Sequence, residues 1–145
     1  MAEKIMTDSE KNTELASRRT GMSFQRTRMS ADRTLMSVIR TALSLISFGF
    51  TIAQVFQKLK ESAIFRGNVS DPRHFGTELV ALGIFMLVFG IIYHIRYMLG
   101  LREVRKKMAA DGLIHAETRF PTSLTLITAV ILLIIGVLAI ISIMD

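Results

Sequence analysis

The chain has 145 residues, half of them hydrophobic, 21% charged and none of them cysteine, which leaves room for one domain and excludes disulfides and thiolate chemistry. Its net charge is +6 and its mean hydropathy +0.43, but the charges are clustered, and the long uncharged stretches between clusters exclude an ordinary soluble globule in favour of a polytopic membrane protein. In such a protein the basic excess reads as topology and attraction to anionic headgroups, with no nucleic-acid role.

Residues 1–12 are polar, charged and aperiodic, and are expected to form a disordered tail. No apolar stretch followed by a small-residue cleavage site occurs in the first 30 residues, so no cleaved signal peptide is expected. Residues 13–145 are expected to form one three-helix membrane domain. Three uncharged runs, Thr41–Gln57, Leu79–Ile95 and Phe120–Met144, are each long enough to cross the hydrocarbon core as a helix. They predict spans at about 36–57, 77–98 and 122–144. No proline interrupts the chain from Asn12 to Pro72. The first span is therefore predicted to extend into the cytoplasm as a long basic amphipathic helix. Ser70-Asp71-Pro72 breaks the chain before the second span, Asp111-Gly112 lies in the second loop, and Pro121 opens the third span. Lys and Arg number seven in residues 1–35, six in residues 96–120 and four in residues 58–78. This bias places the N-terminus and second loop in the cytoplasm and the C-terminus outside.

The first predicted helix carries an internal repeat. Arg19-Thr20-Gly21-Met22-Ser23 is followed by Arg26-Thr27-Arg28-Met29-Ser30, Arg33-Thr34-Leu35-Met36-Ser37 and Arg40-Thr41-Ala42-Leu43-Ser44. A seven-residue period drifts only about 20° per repeat on an α-helix. Arg19, Arg26, Arg33 and Arg40 therefore form one column with tiers about 10.5 Å apart. The serine column, including Ser37 and Ser44, runs beside it. Continued into the membrane, the register gives Ser47, Thr51, Gln54 and Lys58, so one polar stripe crosses the bilayer. A polar stripe should avoid lipid and face a neighbouring helix or water. If several copies surround an axis, each arginine becomes a ring. Guanidinium rings select anions and match phosphate oxygens in a bidentate fork. The bland alternative is that Ser and Thr are interhelical glue and the arginines rest on anionic headgroups.

The repeat running into Leu45-Ile46-Ser47-Phe48-Gly49-Phe50 resembles the three-helix family of unknown function typified by YidH-type bacterial inner-membrane proteins. The same domain is the membrane part of the vacuolar transporter chaperone (VTC) complex. Members commonly have Ala and Trp where this chain has Ser23 and Phe24. The resemblance implies a bacterial inner-membrane location and a homo-oligomer, a pentamer by analogy, with the first helix innermost. It implies Arg33 and Arg40 as the basic pore residues nearest the membrane. Polyphosphate synthesis does not carry over, because the chain has no soluble catalytic domain, and an inorganic anion is the implied ligand.

Other candidates are weaker. His74, His94 and His115 are far apart and lack companions at metal-ligand spacing, so they read as ordinary interfacial or loop histidines. Tyr93, His94 and Tyr97 resemble an interfacial aromatic belt. Gly83 and Gly90 share one helix face and read as packing positions. The third span, rich in Leu, Ile and Val, reads as the lipid-facing outer helix. No phosphate-cradling glycine loop or nucleophile elbow is present, so no catalytic residue, metal or cofactor is expected. The sequence thus predicts an all-α membrane protein acting as an oligomeric anion pore, with itself, anionic lipids and inorganic anions as partners. The alternative is a non-conducting scaffold or regulatory subunit whose basic helix face binds anionic lipid or a partner protein.

Overall fold

The computed structural model describes residues 7–61, 72–112 and 123–144. It contains α1 (Asp8–Glu61), α2 (Pro72–Ala110) and α3 (Leu124–Met144), and no strand among the described residues. All three helices are long and apolar enough to cross a membrane, α3 being the most apolar. The chain is an all-α, multi-pass membrane protein.

The helix ends follow from local chemistry. Thr7 caps α1 as part of a capping box. The Glu10 carboxylate accepts the Thr7 backbone N–H at 2.8 Å and the Thr7 hydroxyl at 3.0 Å, while the Glu10 N–H reaches back to Thr7 Oγ1 at 3.4 Å. The helix therefore starts at Asp8, ahead of the expected residue 13, and residues 8–12 are helical rather than part of a disordered tail. Residues 1–6 of the expected tail lie outside the described residues. Pro72 opens α2, a position where its missing N–H and fixed φ cost nothing. α2 runs to Ala110, through much of the predicted second loop. Residues 96–110 contain no proline, and Glu103 supports Lys107 one turn on at 3.2 Å. Gly112, with φ of 71°, turns the chain out of the helix in a conformation that suits glycine. The Ser123 carbonyl accepts the N–H groups of Leu126 and Ile127 at 3.1 and 3.3 Å, which makes Ser123 the N-cap of α3. Ser70, Asp71, His115 and Pro121 lie outside the described residues.

The chain divides into two units. One holds Met1–Ala31 and Ile95–Pro121. Its described turns carry exposed ion pairs within single helices, Asp8–Lys11, Glu14–Arg18 and Glu103–Lys107, of the solvent-screened kind that adds little stability.

The other unit holds Asp32–His94 and Thr122–Asp145, and the core lies in it. On α1 the inward positions are Leu35, Ile39, Ala42, Ile46, Gly49 and Ala53; on α2 they are Gly76, Val80, Gly83, Leu87, Gly90 and His94. Both series alternate steps of three and four, the spacing of a helix seam. The helices run antiparallel: Gly49 meets Gly76, Ala42 and Ile46 meet Gly83, and Val38 and Leu35 meet Gly90. Gly83 and Gly90 are thus packing positions against α1. α3 contributes Ala129, Leu132 and Ile143 to the core, and Gly136 sits against Ile46 and Ile84. Lipid is as apolar as leucine, so this association draws on close packing and dispersion between helices, which small residues permit.

Candidate functional site

Two polar features stand out on this frame. The first is the stripe on α1. In the unit that contains the core, Arg33, Ser37, Arg40, Ser44, Ser47, Thr51 and Lys58 are exposed and Gln54 is half-buried. In the other unit Arg19 and Arg26 are exposed. The stripe and the buried seam of α1 lie about 150° apart, counting 100° per residue. The chain therefore packs α1 onto α2 and α3 by one face and leaves the polar face uncovered. Among the described residues of that unit, no second element closes over it.

Two of the stripe's hydroxyls bond to their own helix. Ser44 donates to the Arg40 carbonyl at 3.0 Å and Thr51 to the Ser47 carbonyl at 2.8 Å. Thr20, Thr27 and Thr41 do the same to Ala16, Ser23 and Ser37, a back-bonding pattern that hides one polar group per threonine. Arg19, Arg26, Arg33 and Arg40 are different. They form no ion pair with a described side chain, so their donors point to solvent or to whatever binds there. Exposed apolar side chains flank the stripe, Met36 and Leu43 on one side and Phe48 and Val55 on the other.

The second feature, which the sequence reading missed, closes one end of the three-helix seam. Asp32 Oδ1 accepts the Ser123 hydroxyl at 2.7 Å and lies 3.5 Å from His94 Nε2. One residue comes from each helix or its cap, and all three belong to the same unit. His94 is buried between the helices, 3% exposed, and its Nε2 has no hydrogen-bond partner. Its neighbours Tyr93 and Tyr97 are exposed, as is His74. The signal in the sequence was register. Asp32 stands one heptad before the seam residues Ile39 and Ile46, and His94 one heptad after Val80 and Leu87. The Asp32 carboxylate also sits at the N-terminus of α3, where a helix favours negative charge. The contacts run Ser123–Asp32–His94 with the acid in the middle. Activating a serine needs the imidazole in the middle, so this cluster is not built as a nucleophile. Among the described residues no group of three His, Cys, Asp or Glu side chains could hold a metal ion.

A family model described as a domain of unknown function, DUF202, matches residues 26–100, a segment that holds the stripe from Arg26 onward, the antiparallel α1–α2 seam and both Asp32 and His94. No curated protein matches the chain. No solved structure matches it either.

Proposed function

Because the chain belongs to the DUF202 family, whose description assigns no function, we propose from the geometry that it is a non-enzymatic subunit of a homo-oligomeric membrane pore for inorganic anions, phosphate-type ions being favoured. The observation that carries this reading is the uncovered polar face of α1, lying opposite the face that packs inside the chain. A stripe of Arg, Ser, Thr and Lys facing lipid would be costly. Several copies turned inward would remove it from lipid and stack Arg33 and Arg40 as rings. The apolar flanks, Met36 and Leu43 against Phe48 and Val55, would then pack copy to copy. An anion or water between the guanidiniums offsets their mutual repulsion.

In this reading the protein sits in a bacterial inner membrane with its N-terminus and the 96–120 segment cytoplasmic. The preponderance of Lys and Arg on that side supports the orientation.

The test is reconstitution into liposomes, with chloride and phosphate flux measured against empty vesicles and the subunit number measured in lipid. The expected result is an oligomer of at least three copies whose flux falls about tenfold or more in Arg40→Ala, the effect of losing a ring of fixed charges. A monomer, or flux equal to empty vesicles, sinks the pore. In that event, retained binding to anionic vesicles would favour the non-conducting scaffold whose basic face rests on lipid.

A further inference from the structure

We propose that Asp32 and His94 form a proton-binding site at the end of the three-helix seam, with the His94 imidazole as the group that takes the proton. The inference is independent of conduction. Its starting point is a buried polar atom that nothing satisfies: His94 is 3% exposed, and Nε2 has no hydrogen-bond partner. Such atoms are rare in folded proteins because each forfeits its hydration, so one in a packed seam needs a reason. The acidic atom within ion-pair distance of it is Asp32 Oδ1, at 3.5 Å. If Nε2 carries only its lone pair, two acceptors face one another. A proton on Nε2 turns the same contact into an ion pair between imidazolium and carboxylate.

The surroundings suit that exchange. The Asp32 side chain is 25% exposed, so the carboxylate reaches water while the imidazole does not, and a proton can arrive past it. The carboxylate is held in place by the Ser123 hydroxyl at 2.7 Å. α1 thus contributes Asp32 as the charged group facing the imidazole, and α3 contributes a neutral hydroxyl on the same oxygen. Arg33, next along α1, is exposed. The step is an addition: one proton leaves bulk water and binds Nε2, and no other bond breaks. Histidine is the side chain whose charge changes between about pH 5 and 8. Proton occupancy of Nε2 sets how firmly α1, α2 and the start of α3 are tied together.

The test uses the full chain, ring-15N-labelled at histidine, in phosphatidylcholine nanodiscs. Nitrogen shifts are followed from about pH 5 to 8, and His94→Gln assigns the signal. The expected result is that His94 passes from neutral imidazole to imidazolium within this range. Its midpoint should differ by about one pH unit or more in Asp32→Asn, the size of a neighbouring charge's effect, and stay near the native value in Asp32→Glu. An imidazole that remains a neutral Nε2–H tautomer throughout overturns the proposal, as does a midpoint unchanged in Asp32→Asn. Should Asp32→Asn fail to fold, Ser123→Ala makes the comparison, since it frees the carboxylate from its clamp. An unmoved midpoint there also overturns the proposal. None of these readouts depends on anion flux.

Discussion

Gly49 and Gly76 pack backbone to backbone: a Cβ built on Gly49 would lie 2.6 Å from the Gly76 carbonyl oxygen, and one on Gly76 would lie 2.7 Å from the Gly49 carbonyl oxygen. No side-chain rotation can relieve such a clash, because the obstacle is main chain on both sides. The helices must separate, and separation loses dispersion along the seam. Gly49→Ala and Gly76→Ala should each cost about 1–3 kcal/mol, the range for overpacking a filled interior. Unfolding in mixed micelles would show it. The double variant should cost less than the two single costs added together, since the first substitution already opens the contact.

Gly21 is the contrasting case. It lies inside α1, and a methyl group placed on its Cα would meet nothing within 4 Å, so alanine encounters no obstacle and removes backbone freedom from the unfolded chain. Gly21→Ala should stabilise that part of the helix by about 0.5–1 kcal/mol. Slower amide hydrogen exchange around residue 21 is the measurement, and unchanged exchange would contradict it.

The N-terminal turn of α1 should respond to acid. The Thr7 backbone N–H, and then the Thr7 hydroxyl, hold the Glu10 carboxyl below its ordinary value of 4.5. A carboxyl depressed in the folded state contributes stability above its unfolded value, and that contribution is lost as pH falls through the lower folded value. The capping box should therefore be intact at neutral pH and open progressively below about pH 4.5, where Glu10 gains its proton. Backbone chemical shifts of Thr7 and Glu10 would report the opening, and Glu10→Gln should remove most of the pH dependence.

Two serines that look alike in sequence should behave differently. Ser123 donates to Asp32 across the seam at 2.7 Å, whereas exposed Ser44 donates to a carbonyl of its own helix at 3.0 Å. A hydrogen bond to a charged group is worth about 1.5–3 kcal/mol, so Ser123→Ala should lower thermal stability clearly. Ser44→Ala should stay within about 0.5 kcal/mol of the native protein, as surface substitutions do. Parallel melts in bicelles separate the two, and equal losses would show that Asp32 does not depend on its clamp.

Much of the architecture was legible in the sequence, for a physical reason. A bilayer demands long uncharged stretches whose backbone bonds are all internal, and that demand writes itself directly into composition. The polar stripe was equally legible, because a heptad on a straight helix keeps its residues on one face. Helix ends were less so. The continuation of α2 to Ala110 rests on an absence of breakers and on short-range pairs such as Glu103–Lys107, which look no different from loop polarity in a linear reading. The start at Asp8 depends on a reciprocal Thr7–Glu10 bond inside a segment whose composition suggested disorder.

By itself the sequence determined three apolar helices, the polar register from Arg33 through Thr51 and the small residues at Gly83 and Gly90, because hydropathy and helical period act along the chain. Only the tertiary structure decided which face of α1 its own chain covers, that Gly49 meets Gly76, and that Asp32, His94 and Ser123 converge. Those depend on the pairing of residues up to 91 positions apart. Periodicity can say that Asp32 and His94 share registers with buried neighbours, but only the antiparallel packing of α1 on α2 brings their side chains to 3.5 Å.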